Sequence, residues 1–544
     1  MIRRRRSYNV ALLPKFTYFG NQASGATDST TDPTQGFSAT NQWLTFDFAQ
    51  ASTPDGYTIK ANDGTYVYGT SLVADNTYGA GMVAASRQVT FQTFDASRVL
   101  HLTSASVGDQ FYTGIIFDGT YNTTDHCIEI DSTAGATSLT LNDCSLINAD
   151  EAAIQLLKRS FNLYINNCDF SGAIDNPILF GSGLSQTGAV ELKMTNSRAD
   201  CTTTSPDVDY FWFANASYTT RSNDFDQVIS GNHIKLAIDV ISSAYDVFKL
   251  TQADSYSLRG NTIWVSSETL TKGVDVAKPL GLSTYPIQSV VMDSNLVGYY
   301  SGNGFGLVIG GDENGEGYTE FGEIKDCMVI GQYYASNTPH AFSCGRSDSA
   351  DRLTIKDCIA TDTYVGFLMS ISASAESNII EDCLALDCYG SSYYAKGNTD
   401  ATIRNNRAIV SDKQVQRNQA ILSATAQGAF DNTATQFTGN TVTVQGDAAG
   451  TDWFALAGNT SADDNATWSG NVYNVPDTLS LSDNMFVIDG SYVTGTAWLA
   501  AYPNDTINFK TQAQIDAIVA AAYVEVAAKQ AVIGNGTALP AAPT

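Results

Sequence analysis

The 544-residue sequence predicts an all-β chain built as a parallel β-solenoid, and three observations carry that expectation. The composition suits short strands and many turns: only 16% of residues are charged, while 44 are Gly, 27 Tyr and 25 Phe. A six-residue pattern recurs along the chain as "LTLNDC", "LYINNC", "LKMTNS", "QVISGN", "YSLRGN", "VVMDSN", "GEIKDC", "LTIKDC", "NIIEDC", "ATIRNN", "TQFTGN" and "ATWSGN". Its sixth residues are Cys144, Cys168, Ser197, Asn232, Asn261, Asn295, Cys327, Cys358, Cys383, Asn406, Asn440 and Asn471, spaced between 23 (Cys383 to Asn406) and 35 (Ser197 to Asn232). A second apolar run follows most of these anchors, as in "AAIQLL", "NPILFG", "YFWFAN", "GFGLVIG", "VGFLMS" and "AILSAT". Two or three short strands per unit of about 30 residues cannot close a core alone, but stacked units can pair edge to edge and bury a continuous column.

Within a unit, apolar residues take the first or third place and two polar residues precede the anchor, which reads as a strand, a bend and another strand. Residues 43–500 read as the solenoid body, clearest between 111 and 475, with "YTIKANDGTYVYG" from Tyr57 to Gly69 as a degenerate early coil. The ends differ from this body. Residues 1–22 read as an anchoring arm, because Arg3 to Arg6 make a basic cluster on a chain of formal net charge −27. The "SYNVALLPKF" that follows is broken by Pro14 and Lys15 and lacks the apolar run of a signal peptide, so synthesis in the cytoplasm without secretory export is expected. Residues 23–42 read as a linker, since Ala23 to Thr40 is almost wholly small and polar. Residues 501–544 read as a C-terminal helical cap. A capping-box pattern at Thr511 and Gln514 opens a helix that closes at Gly534, and Ile515, Ile518, Val519, Ala522 and Val526 form its apolar stripe. That stripe suits either a cover over the last coil or a three-helix contact between subunits.

Charge and cysteines exclude several classes. A sequence pI of about 4.3 repels nucleic acid phosphates, and no stretch approaches the roughly 18 to 20 apolar residues of a membrane span, so neither nucleic acid nor membrane is an expected partner. Nine cysteines without a CxxC pair, the closest being Cys383 and Cys388, predict free thiols rather than disulfides or zinc. Five of the nine stand at the anchor place, which favours a packing role over nucleophilic or metal chemistry.

The anchor pattern, seen as "LRGNTI" and "IRNNRA", resembles the right-handed parallel β-helix of pectate-lyase-like proteins and of the tailspikes of tailed bacteriophages. The resemblance implies an inward Asn that stacks as a ladder from coil to coil. Asn tolerates left-handed backbone and bonds the coils above and below, and Cys fills the same slot. It departs from the tailspike pattern in having no Asp-rich "DGxxDDTxA" segment ahead of the helix. What it implies for function is a homotrimeric tail spike or fibre in the virion, held to other virion proteins by the arm and contacting host surface polysaccharide with its wall. A polysaccharide depolymerase, lyase or glycoside hydrolase, and a purely structural capsid or tail decoration are the alternatives on the same scaffold.

No GxSxG, HExxH or Walker motif is present, and His101, His126, His233 and His340 are far apart in sequence, so no Ser-His-Asp set is expected. Carboxylates are the candidates. Asp150 and Glu151, Asp175, Asp207 and Asp209, and Asp246 precede the second apolar run of four units, and a column of them would bring acids to the separations a glycosidase pair uses. Asp175 and Asp209 are the candidate catalytic pair, with Asp150, Glu151, Asp207, Tyr210, Trp212 and Asp246 as carbohydrate contacts. Against this stands the abundance of Asp at ordinary turns. Asp312, Asn314 and Glu316 in "GGDENGEGYTEFGE" offer alternating oxygens for Ca²⁺ without a full EF-hand spacing; no other cofactor is expected.

Overall fold

The computed structural model describes residues 15–20, 49, 57–68, 72–73, 82–84, 86, 88–93, 98–120, 126–158, 161–174, 176–180, 190–203, 211–212, 226–238, 245–250, 255–267, 274–279, 287–300, 304–309, 319–331, 339–344, 352–369, 378–397, 401–411, 420–426, 435–446, 455–459 and 466–534. The chain is mostly β. Its strands form three sixteen-stranded sheets in which, apart from the first strand pair and the closing hairpin, each strand bonds to the strand three further along, so the chain visits the first, second and third sheets in rotation. The first sheet runs from Lys15–Phe19 and Tyr57–Ala61 to Thr467–Ser469, the second from Gly64–Tyr68 to Thr506–Lys510, and the third from Leu72–Val73 to a closing hairpin. Among the described residues that hairpin, Asn484–Ile488 with Ser491–Thr494, is antiparallel, and the other pairs, such as Phe161–Asn166 with Val190–Thr195, are parallel. This order is consistent with a solenoid. The degenerate "YTIKANDGTYVYG" supplies a strand to each of the first two sheets, and Lys15–Phe19 joins the first sheet beside Tyr57–Ala61. Arg3 to Arg6 and Ala23 to Thr40 lie outside the described residues.

Alternation along the strands selects what is buried. In Phe161–Asn166, Phe161, Leu163 and Ile165 are buried while Asn162 and Tyr164 are only partly so, and Ile165 registers with Leu141 below and Met194 above. Rings stack in the same way: Phe342, Phe367 and Tyr393 lie 4.9 and 5.0 Å apart, within 7° of parallel. Each such side chain contributes about 1.5–3 kcal/mol by leaving water.

The bend between the first and second sheets explains the repeat. The residue before each anchor is left-handed: Asp143, Asn167, Asn196, Gly231, Gly260, Ser294, Asp326, Asp357, Asp382, Asn405, Gly439 and Gly470 have φ between 51° and 70°. Only Gly and small polar residues adopt that conformation cheaply, which is why the pattern reads DC, NC, GN or NN. The left-handed residue is therefore one place earlier than expected, and the anchor serves another purpose: it points inward and bonds. Asn440 donates from its backbone N and Nδ2 to Asn471 Oδ1, both at 3.0 Å, and its Nδ2 also donates to the Ile403 carbonyl at 2.8 Å. The same bonds link Asn232 to Asn261, Asn261 to Asn295, and Asn406 to Asn440. Cys144, Cys168, Cys327, Cys358 and Cys383 complete the column, and each thiol meets backbone carbonyls, as Cys358 Sγ meets Lys356 O at 3.1 Å. All nine cysteines are free and buried. Burial pushes Cys144, Cys327 and Cys358 well above the ordinary thiol range and Cys127 to about 12, so they are neutral packing groups.

The ladder ends on a carboxylate. Asp505 Oδ1 accepts from Asn471 N at 2.9 Å, and its Oδ2 accepts from Trp498 Nε1 at 3.1 Å and Tyr473 OH at 3.2 Å. Trp498 sits on α1 (Gly495–Ala501) and is fully buried, stacked 4.5 Å from Phe486 at the last turn.

The second helix, α2 (Gln512–Ile533), opens with the expected capping box, Thr511 with Gln514, and stops at Gly534. It does not lie across the end of the stack. Its stripe packs on the outer wall of the second sheet, where Ile515, Val519 and Ala522 bury Leu296, Met328, Ile359, Leu384, Leu386 and Ile409. Along α2, Asp516 accepts from Gln445 Nε2 at 2.6 Å, Tyr523 OH donates to Asp387, Glu525 pairs with Arg407, and Lys529 pairs with Asp326 at 2.9 Å. The partners range from Gln445 near the start of the helix to Asp326 near its end, so α2 runs along the wall. Twenty-two residues span about 33 Å, roughly seven steps of about 4.8 Å between strands.

Candidate functional site on the wall of the third sheet

Polar and aromatic residues collect on the third sheet because its register is kept from coil to coil. One register column, next to the strand positions of the buried Leu100, Ile128, Ile154, Ile178, Phe248 and Ala277, runs His101, Glu129, Gln155, Leu179, Trp212, Lys249 and Lys278, and of the last four the strand positions alone are described. A second column, two places before the inward residues, starts with Arg98, His126, Ala152 and Asn176. Further up, Asp246 registers with Asp275, and Phe305 with His340.

The lower end is a network of charges. Arg98 Nη1 donates to Glu129 Oε1 at 3.0 Å, and His101 Nε2 lies 3.4 Å from the same oxygen and 3.7 Å from Asp131 Oδ2. His126 Nε2 lies 4.0 Å from Glu129 Oε2 and 3.7 Å from Glu151 Oε2. Burial, then the Arg98 guanidinium, hold His101 below its ordinary value against the opposing pull of Asp131. The backbone N–H of Thr133 keeps the Asp131 carboxyl low. A neutral His101 imidazole beside the ionised Asp131 carboxylate can donate to and accept from hydroxyl groups and can move protons. The upper end is aromatic. The Phe305 ring stands edge-on to His340 at 4.8 Å, and His340 stacks on Tyr364 at 6.4 Å and 15°, all three partly exposed.

The expected acidic column is thereby divided. Glu151 precedes the strand Ala152–Leu156, reaches His126, and bonds through its carbonyl to the N–H of Asn176, the residue after Asp175. Asp150 is exposed at the bend before it. Asp246 is two places before Phe248, so its register equivalents in the lower coils are Ala152 and Asn176. Asp175, Asp207, Asp209 and Tyr210 lie outside the described residues, and of Trp212 and Asp246 the strand positions alone are described. Asp312, Asn314 and Glu316 also lie outside them, and among the described residues no group of three or more His, Cys, Asp or Glu could hold a metal ion. His101 and His126, far from each other in sequence, stand on adjacent strands; the signal was that Arg98 and His101 flank the apolar pair "VL" of "RVLHL" as His126 and Glu129 flank "CI" of "HCIEI". No helix among the described residues is long and apolar enough to cross a membrane. No family model matches the chain, and neither a curated protein nor a solved structure matches it.

Proposed function

We propose that the chain is a right-handed parallel β-helix serving as a virion-associated tail spike or fibre, and that the wall of its third sheet contacts host surface polysaccharide. The observation that carries this reading is the third-sheet register, which lines up hydrogen-bonding and aromatic residues over consecutive coils while the core beneath stays uniformly apolar. Extended polymers of sugars need such a repeating surface: carboxylates, amides and imidazoles for hydroxyls, flat rings for the apolar faces of pyranoses. The basic Arg3 to Arg6 arm supports docking on an acidic virion surface, and the apolar Val524 and Val532 that α2 leaves exposed support assembly as a homotrimer. A depolymerase is the second reading, favoured by Asp246 and Asp275, two acids in register on adjacent strands about 4.8 Å apart.

Incubation of the purified protein with a panel of bacterial surface polysaccharides, scored for binding and for shortening, tests both. Binding without shortening is the expected outcome for a spike, and shortening makes the chain a depolymerase. Binding to none leaves a structural decoration.

A further inference from the structure

We infer that Cys144 and Cys168 form a latent disulfide that thiol oxidants close, turning one coil of the stack into a covalent ring. The two residues are consecutive anchors, 24 residues apart. Their coils are held in register on both sides of the bend, Asn142 opposite Asn166 before it and Ser145 opposite Asp169 after it, and Asp169 N donates to the Cys144 carbonyl at 2.9 Å. Both side chains point inward and take equivalent places. Cys144 Sγ meets Asn142 O at 3.3 Å and Tyr112 O at 3.4 Å, while Cys168 Sγ meets Asn166 O at 3.4 Å and Leu141 O at 3.5 Å. Equivalent atoms of successive coils lie one strand spacing apart, about 4.8 Å, and a disulfide accepts Cα atoms about 4.4–6.8 Å apart. The backbone therefore holds the pair at a bridgeable separation, and turning the two thiols toward each other closes the bond.

The pair differs from the other thiols of the column. Ile115 takes the place below Cys144 and Ser197 the place above Cys168, so no third thiol competes. Cys327, Cys358 and Cys383 instead form a run of three, in which burial pushes Cys327 and Cys358 well up. The Cys144 thiol, also pushed up by burial, donates to Cys168, and that hydrogen bond pulls the Cys168 thiol below its ordinary value against the opposing effect of burial. A nucleophilic sulfur thus stands beside the thiol that resolves it.

With glutathione disulfide as the oxidant, the exchange balances. The Cys168 thiolate attacks one glutathione sulfur and releases the other as glutathione; Cys144 then gives up its proton, its sulfur attacks Cys168 Sγ, and the second glutathione leaves. The two cysteines lose two electrons, and one glutathione disulfide becomes two glutathiones, which carry off the two thiol protons. The ring so closed runs once round the stack through Ser145–Ile147, Ala152–Leu156 and Phe161–Asn166 and includes Glu151, the neighbour of His126. It locks a coil at the lower end of the third-sheet network. Cys144 is 1% and Cys168 2% exposed, so a bulky oxidant meets them while the coil is forming or open.

The test makes the full-length protein by cell-free synthesis in reducing and in oxidising glutathione buffers, and separately treats the folded, reduced protein with diamide. Free thiols are blocked, and disulfide-linked peptides are mapped by mass spectrometry. The expected result is that the oxidised protein loses two of its nine thiols, yields a peptide pair joining Cys144 to Cys168, and melts several degrees higher until dithiothreitol returns it to the reduced value. Cys144→Ser and Cys168→Ser should each abolish that increment. Nine free thiols after both oxidations, or linkage confined to other cysteines such as Cys327 and Cys358, overturns the inference. So does a Cys144–Cys168 bond that lowers the melting temperature, because the backbone then distorts to form it. The peptide map needs no variant, so a substitution that fails to fold does not remove the test.

Discussion

Two positions at one bend set the residue-scale behaviour of this chain: a left-handed residue and, next to it, an inward anchor. The anchors are the same twelve residues that the repeat singles out, because a slot that must be small, buried and able to meet backbone groups admits little besides Asn, Cys and Ser. The thiols there are buried packing groups that meet backbone carbonyls, and burial holds Cys144, Cys327 and Cys358 neutral. Cys383→Ala is therefore expected to cost about 1–3 kcal/mol in denaturant unfolding and to leave polysaccharide binding unchanged; lost binding at an unchanged melting temperature would contradict it. Asp505 was not legible, because it stands 34 residues beyond Asn471 in a turn without the repeat's sequence, and only its bonds to Asn471, Trp498 and Tyr473 mark it as the last rung. Burial raises its carboxyl above the ordinary range. The native state then holds that proton more tightly than the unfolded chain, so this group's contribution is complete below the ordinary aspartate value of about 4 and is lost as pH rises through the raised value. Asp505→Asn should remove that part of the pH slope. It should also cost about 1–3 kcal/mol near neutral pH, because whichever way the amide turns, Trp498 Nε1 or the Asn471 donors lose an acceptor. Urea titrations of both proteins across pH 4 to 7 check this, and parallel stability curves would refute it.

At the scale of elements, the helix α2 shows how far local sequence reaches. Its capping box, stripe and end were legible because they are properties of the helix alone. Its resting place was not, since a stripe does not say whether it covers an end or a wall. A signal did exist in the coils. The residue just after the anchor is polar in Ser145, Asp169, Arg198, His233 and Thr262, turns apolar in Leu296, Met328, Ile359 and Leu384, and is polar again in Arg407 and Thr441. Those four apolar residues are what α2 covers. Truncation before Thr511 should expose them, at about 1.5–3 kcal/mol for each, with new binding of an apolar dye and earlier melting. Unchanged melting and no dye binding would show that α2 does not hold the wall. Lys529→Ala probes one tie: Lys529 offsets Asp326 and Asp357, stacked with Asp382 at successive left-handed turns, and burial with these neighbours raises the Asp357 carboxyl. Its loss should be milder than truncation and more evident at low salt.

For the whole molecule, the three sheets have different outer faces. The first carries a compensated ladder, with Lys325 3.6 Å from Asp293 and Glu381 bound by Lys356 and Arg404. The second is covered by α2 from the Leu296 strand upward. The third presents the His101–Glu129 network and the Phe305–His340–Tyr364 rings. The all-β, parallel, repeating character was legible because every coil restates it. The grouping on one wall was not, because unequal coil lengths hide which residues share a register: His101 and Glu129 are 28 apart, Trp212 and Lys249 are 37 apart. The most direct test of polysaccharide contact by that wall is hydroxyl-radical footprinting of the full-length protein with and without a polysaccharide it binds. Protection concentrated on third-sheet segments between 98 and 369, with the first and second sheets unchanged, is the predicted result. Protection confined to the first or second sheet, with third-sheet residues oxidised equally in both samples, would contradict it.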